Sequence, residues 1–202
     1  MELRILNKPQ LAGLYEHEMR KAFPPSELKP LRAMEGMRDT GRYEPLGVYD
    51  GEELVGYALM WLEPGVPYAL LDYLGTVEGK RGGGIGAATL DLLAERYAHT
   101  MGVFGEAEAV TATEPDEAAM QARRLGFYER NGFVYAGYDC ALFGVHYRTL
   151  IRTDKPIDPE RVEAAHIAIY SGYMPPKVYH RFIQIPLAPG EQPRPLERWT
   201  EE

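Results

Sequence analysis

The chain is predicted to be an α+β protein with a mixed, mostly antiparallel central sheet flanked by helices, followed by a C-terminal helical extension. Three observations lead there. Three strand-like segments between Tyr43 and Thr76 are joined by connections too short for parallel crossovers, so they form an antiparallel meander. Beyond them, helix and strand patterns alternate as far as Arg152. The last fifty residues then change character and hold half of the chain's 16 prolines.

Taken in order, residues 10–22 read as a helix with Leu11, Leu14, Met19 and Ala22 among charged residues, ended by Phe23-Pro24-Pro25. A second helix is expected over Ser26–Arg38, where Ser26 suits the N-cap and Leu28, Leu31 and Met34 fall three apart on one face. Tyr43–Tyr49 is the first strand, and Asp50-Gly51 after it is a hairpin-turn dipeptide. Leu54–Leu62 is its partner; Glu63-Pro64-Gly65 turns the chain into a third strand, Tyr68–Thr76. A glycine-rich loop leads into a helix over Ile85–Tyr97, and Val103–Val110 is a fourth strand. A loop ending in Glu114-Pro115-Asp116 precedes a helix to about Asn131, with Gly132 in the helix-ending position. Phe133–Tyr138 and Val145–Arg152 read as a closing strand pair. In the extension, Asp158-Pro159 is a cap followed by a first-turn proline, which predicts a helix to about Ser171 before Gly172. A short helix follows Pro176. The expected division is a domain over 1–152, a helical extension packed on it over 153–185, and an extended or disordered tail over 186–202.

Of the 202 residues, 45% are hydrophobic and 26% charged, the balance of a soluble globular protein. The net charge of -8 argues against binding nucleic acid or anionic membrane, both of which need a basic surface. Cys140 is the single cysteine, so neither an internal disulfide nor a thiolate zinc cage can form. With no signal peptide and no apolar run long enough to span a bilayer, a cytoplasmic location is expected. The five histidines (His17, His99, His146, His166, His180) are scattered without ligand spacing, and no metal site is expected.

The segment Arg81-Gly82-Gly83-Gly84-Ile85-Gly86-Ala87 lies between a strand and a helix. Unpaired amides at a helix start, the helix dipole and the close approach that glycines allow make such a loop an anion site. Lys80 and Arg81 add positive charge, and Ile85, Leu92 and Leu93 give the helix an apolar side to fix its start against a sheet. A P-loop would end in Gly-Lys-Ser/Thr; Gly86-Ala87-Ala88 lacks that lysine, which removes nucleoside triphosphates. A dinucleotide fingerprint matches by letter, Gly82-x-Gly84-x-x-Ala87, with Glu106 or Glu108 roughly twenty residues on. The strand before it, however, ends an antiparallel meander instead of opening a parallel βαβ unit. A strand-to-helix turn with no ligand is another reading. The remaining one is Arg/Gln-x-x-Gly-x-Gly/Ala, present as Arg81-Gly82-Gly83-Gly84-Ile85-Gly86.

One helix, one strand and one loop further on stands Phe127-Tyr128-Glu129-Arg130-Asn131-Gly132-Phe133, a Tyr-x-x-x-Gly-Phe pattern. With these two motifs the sequence resembles the GNAT superfamily of N-acetyltransferases over roughly residues 1–152. The resemblance implies transfer of an acetyl or other short acyl group from acetyl-CoA to a primary amine of a small molecule or peptide. The amine would attack directly in a ternary complex, in a monomer or homodimer.

It also implies that the amides of Arg81, Gly82, Gly83, Gly84, Ile85, Gly86 and Ala87 bind the CoA pyrophosphate. Leu74, Gly75 and Thr76 would meet the pantetheine arm where strands splay at a bulge, one amide there polarising the thioester carbonyl. Arg124 and Asn131 join the cofactor side; Arg123 or Arg124 would reach a phosphate or lie on the helix surface. Tyr128 aligns with the tyrosine that stands beside the CoA sulfur and is the implied acid, the other reading being one packing tyrosine among 14.

An alkylamine with a pKa near ~10.4 must lose a proton before it attacks. Asp72, Glu106 and Glu108 are the candidate bases. By alternation Asp72 shares a strand face with Leu70, Leu74 and Thr76, and Glu106 shares one with Glu108. Each would take a proton or attract a cationic amine, or be a hydrogen-bonded structural group. The family often has Asn seven residues before the tyrosine; Gln121 stands there. Tyr138, Phe143, His146 and Tyr147 border the acceptor side. The alternative to an enzyme is a noncatalytic acyl-CoA sensor or interaction module.

Overall fold

The structure, a computed structural model, describes residues 1–25, 27–80 and 82–195. Ser26, Arg81 and residues 196–202 of the predicted tail lie outside the described residues. The fold is mixed α+β with a central, mostly antiparallel sheet flanked by helices, as the sequence predicts. The chain forms two compact units: Met1–Gly65 with Ala69–Val103, and Val66–Tyr68 with the chain from Phe104 onward.

The first unit begins with β1 (Glu2–Ile5), α1 (Lys8–Leu14), a π-helical turn (Tyr15–Met19), α2 (Arg20–Ala22) and α3 (Leu31–Asp39). It continues with β2 (Tyr43–Asp50), β3 (Glu53–Leu62), β4 (Ala69–Thr76) and α4 (Ile85–Arg96). Its strands run β1-β2-β3-β4, each antiparallel to the next. β1 was not predicted; four half-exposed residues carry too little pattern to be read. α1 starts earlier than expected because Asn7 closes a capping box: its side chain accepts from Gln10 N and Gln10 accepts from Asn7 N, each at 2.9 Å. The single helix expected over 10–22 is instead interrupted by the π turn. α3 starts at Leu31, with Pro30 at its N-cap, because proline has no N–H to give and forces the residue before it out of the helical region.

α3 packs against β2, and α4 against β3 and β4. Leu11, Met19, Met34, Met37, Leu46, Leu59, Trp61 and Leu70 are sealed in the core, each contributing on the order of 1.5–3 kcal/mol by leaving water.

The β3–β4 register slips by one: Leu59 faces Tyr73 while Met60 faces Leu71, so Asp72 is the extra residue of a bulge in β4. This corrects the expected face. Leu74 and Thr76, opposite Ala58 and Gly56, fall on the side of Leu71. Asp72 bonds to Tyr43, which faces Trp61 and thereby shares the side of Leu70.

The second unit holds β5 (Val103–Glu108), α5 (Pro115–Arg130), β6 (Val134–Leu142), β7 (Val145–Arg152), α6 (Pro159–Tyr173), α7 (Pro176–Phe182) and β8 (Ile183–Gln184). Its strand order is β5-β7-β6-β8, with β6 antiparallel to both β7 and β8. Asn131 and Gly132 end α5 as predicted, Gly132 at φ +82°. β6 runs past the predicted Tyr138 and bends between Tyr135 and Asp139, where Gly137 has φ +105°. A Cβ on Gly137 would lie 3.0 Å from Pro159, so the bare backbone leaves room for the start of α6. Asp158 caps α6 as predicted, and the helix runs through Gly172 to Tyr173.

Val162, Ala165, His166, Ile169 and Tyr170 are its buried stripe. β8 was not predicted. After it, Leu187 N–H donates to Asp139 O at 2.7 Å, and the Gln184 side chain bonds to Glu191, Gln192 O and Arg194 N. Among the described residues no helix is long and apolar enough to cross a membrane. Nor, among them, do three His, Cys, Asp or Glu side chains gather to hold a metal ion.

Candidate active site

In the first unit, the turn into α4 exposes Gly82, Gly83 and Gly84, with nothing within 4 Å of where their Cβ atoms would stand. Gly82 (φ +92°) and Gly84 (φ +73°) are left-handed, a conformation that costs other residues about 1–2 kcal/mol. Gly84 is the N-cap, and no side chain caps the helix. The first intrahelical bond is Ala88 N–H to Gly84 O at 3.0 Å, so the amides of Ile85, Gly86 and Ala87 precede the ladder. Ile85 holds this end in place: a Cβ on Gly56 would lie 3.0 Å from its Cγ2, so the bare strand residue makes its seat. An uncapped helix start, anchored and flanked by glycine, fits a diphosphate by the chemistry of its donors. Lys80 pairs with Glu53 at 2.7 Å, which takes up one of the two expected cations. The other, Arg81, is outside the described residues.

Leu74 and Thr76 are half-exposed at the end of β4. Gly75 between them has a structural reason of its own, since a Cβ there would fall 2.1 Å from the Tyr57 ring. Asp72 lies 2.6 Å from Lys29 Nζ through Oδ1 and accepts from the Tyr43 hydroxyl through Oδ2; its side chain is 6% exposed. The Lys29 ammonium also sits 4.9 Å over the Trp61 ring. Burial, then the charge of Asp72, pushes the Tyr43 phenol well above its ordinary range. Tyr73 O–H donates to Glu27 O at 2.7 Å and accepts from Lys29 N–H at 2.9 Å. Asp72 Oδ1 thus ties Lys29 of the loop before α3, and Oδ2 ties Tyr43 of β2.

In the second unit, Tyr128 is half-buried near the end of α5, edge-on to Phe127 and Phe133 at 5.3 and 5.4 Å. Burial pushes its hydroxyl up to about 12; Arg124 pulls it down and Glu106 raises it further. It thus keeps its proton at neutral pH. Arg124, expected at a cofactor phosphate, donates to Glu108 at 2.6 Å, so each charge compensates the other. Asn131 Nδ2 donates to Phe127 O at 2.7 Å and closes α5. Gln121 is buried, and its Oε1 accepts from both Thr111 N and Ala112 N at 3.1 Å, fixing the β5–α5 loop. Phe143 stacks on Phe182, and His146 pairs with Asp139 at 2.8 Å, so both have packing partners.

Glu106 is placed differently. Its Oε1 accepts from His166 Nε2 at 2.8 Å and from Tyr170 O–H at 2.9 Å, and its side chain is 7% exposed. The Tyr138 hydroxyl lies 3.1 Å from Nδ1 of the fully buried His166. Oε2 makes no hydrogen bond among the described residues. The sequence reading did not single out His166 or Tyr170, although their spacing with Val162, Ala165 and Ile169 is that of one buried helix face.

A sequence profile of the acetyltransferase (GNAT) family matches residues 10–133, well over half of the chain. The chain belongs to that family and is an acyl-CoA-dependent N-acetyltransferase. Among solved structures, a GNAT-family protein from Bacteroides thetaiotaomicron has a TM-score of 0.67 at 18% identity, over 86% of this chain and 98% of its own. The ribosomal-protein-S18-alanine N-acetyltransferase from Escherichia coli has 0.55 at 18%, over 77% and 93%. An aminoglycoside 6'-N-acetyltransferase complexed with coenzyme A has 0.54 at 16%, over 77% and 98%. At these identities the likeness carries the fold alone. No curated protein matches the chain.

Proposed function

We propose that this protein transfers an acetyl group from acetyl-CoA to a primary amine of a small molecule or peptide, by direct attack with both substrates bound. The observation that carries the reading is the uncapped, glycine-flanked start of α4 within the stretch matched by the family. The amides from Gly82 to Ala87 hold the pyrophosphate, and the backbone of Leu74, Gly75 and Thr76 lines the pantetheine arm. Acetyl-CoA supplies an acyl carbon activated as a thioester and a thiolate that leaves with one of the protons the ammonium gives up.

Glu106 takes the other proton. Of the three carboxylates, Asp72 is saturated by Lys29 and Tyr43, and Glu108 is neutralised by Arg124. Glu106 bears no ion pair with a lysine or arginine among the described residues, and its Oε2 accepts no hydrogen bond among them. Tyr128, with its proton retained, donates a hydrogen bond to the sulfur as negative charge gathers there. A cytoplasmic monomer or homodimer is part of the same reading.

Free thiol released from acetyl-CoA over a panel of amines tests it. The panel holds spermidine, an aminoglycoside and a peptide with an N-terminal alanine. Glu106→Gln is expected to lower kcat at least about 100-fold with acetyl-CoA affinity kept. Gly84→Val is expected to weaken acetyl-CoA binding about tenfold or more, by straining and filling the turn. Tight acetyl-CoA binding with no turnover on any of the three would place the acceptor outside these classes of amine.

A further inference from the structure

We infer that the C-terminal extension is part of the acceptor site: His166 and Tyr170 of α6 hold Glu106 by one oxygen and so present the other to the substrate's ammonium. The inference rests on the reading of Glu106 as base. His166 and Tyr170 lie beyond residue 133, where the family's match ends.

His166 Nε2–H and Tyr170 O–H both donate to Oε1, and the Tyr138 hydroxyl meets the other ring nitrogen, Nδ1. Two donors on Oε1 stop the carboxylate from rotating and leave the lone pairs of Oε2 for the substrate. A carboxylate oxygen presented in this way only accepts hydrogen bonds, which suits an ammonium. Glu108, two residues on in β5, is paired with Arg124 at 2.6 Å.

Docking α6 does not by itself need this set. Val162, Ala165 and Ile169 already form an apolar stripe. Burying a histidine and a tyrosine against a carboxylate is less favourable than filling the same volume with apolar side chains. Their presence in the stripe therefore points to a positioning role.

Two variants separate positioning from packing. The amide nitrogen of glutamine reaches where Nε2 of the histidine stands, whereas that of asparagine reaches only as far as Nδ1. His166→Gln should keep kcat within about threefold, while His166→Asn and Tyr170→Phe should each lose about 10- to 100-fold, the loss of a hydrogen bond to a charged group. The KM for acetyl-CoA should stay within about twofold in all three, if only the acceptor side is disturbed. The assay uses whichever of spermidine, the aminoglycoside and the alanine peptide turns over fastest, or acetyl-CoA hydrolysis if none does.

Independently of turnover, ¹⁵N NMR of the wild-type imidazole should show His166 protonated on Nε2. Equal kcat in His166→Gln and His166→Asn, or a proton on Nδ1 alone, overturns the inference. Wild-type activity in Glu106→Gln removes the base assignment itself. An inactive Glu106→Gln with indifferent His166 variants removes only the role of α6.

Discussion

The Tyr57 ring occupies the space that any side chain on Gly75 would need: a Cβ built there falls 2.1 Å from Cζ and 2.3 Å from the hydroxyl oxygen. The two residues face each other across β3 and β4, so neither strand can move aside alone.

Gly75→Ala is accordingly expected to destabilise the protein by about 3 kcal/mol, at the upper end for an overpacked core site. Trimming the ring should restore much of that loss. The double variant Tyr57→Leu/Gly75→Ala should be more stable than the sum of the single effects by at least about 1 kcal/mol in urea unfolding. Strict additivity would show that the ring yields easily.

Asp72→Asn is expected to leave catalysis alone and to hurt the fold. It breaks an ion pair whose two side chains are 6% and 19% exposed, and leaves the Lys29 ammonium without its counter-charge. A loss of about 3 kcal/mol follows from removing one partner of a largely buried pair. With Glu106 as the proposed base, the kcat per folded molecule should remain within about threefold. A folded Asp72→Asn protein slowed about 100-fold would return Asp72 to that role.

Tyr128 sets an expectation for alkaline pH. Its hydroxyl goes from the ordinary 10.0 up to about 12 in the fold, chiefly through burial. The protonated form is the one the fold favours, so this contribution is complete below pH 10.0 and disappears as pH rises through about 12. It amounts to roughly 2–3 kcal/mol by linkage. Tyr43, Tyr73, Tyr97 and Tyr138 are raised too, so stability of the whole protein should fall above pH 10.0. Tyr128→Phe should show a smaller drop between pH 8 and 12 in denaturant unfolding, and about tenfold slower acetyl transfer at pH 8. Transfer at the wild-type rate would take the hydrogen bond to sulfur out of the scheme.

Features written in a few consecutive residues were legible in the sequence. Asp50-Gly51 marked the hairpin, Asn131-Gly132 the end of α5 and Asp158-Pro159 the start of α6, because each works through backbone conformation at its own position. The face of Asp72 was not legible. Alternation along one strand cannot register a slip that exists only relative to its partner, here between Leu59 and Met60.

Arg124 in α5 and Asn131 at its C-cap bond to Glu108 and the Phe127 carbonyl, partners that letters alone do not reveal. The glycine loop was read from its own letters, whereas the seat of Ile85 depends on Gly56 in another strand. His166 could be assigned to a helix, but not to Glu106, which lies sixty residues earlier in the chain.

That distance also sets an order of events during synthesis. Every strand of the first unit has been made once Thr76 emerges, and its last helix, α4, ends at Arg96. The second unit cannot close until the chain has grown past Gln184, because β6 waits for β8 and Glu106 for His166. Domains fold as units, the N-terminal one first, as the nascent chain lengthens. A message cut short after Arg152 would therefore yield a finished first unit and a second one with Glu106 deprived of both its donors. Such a product has the exposed, half-made core that quality control removes, so no partly working short form of this enzyme should accumulate.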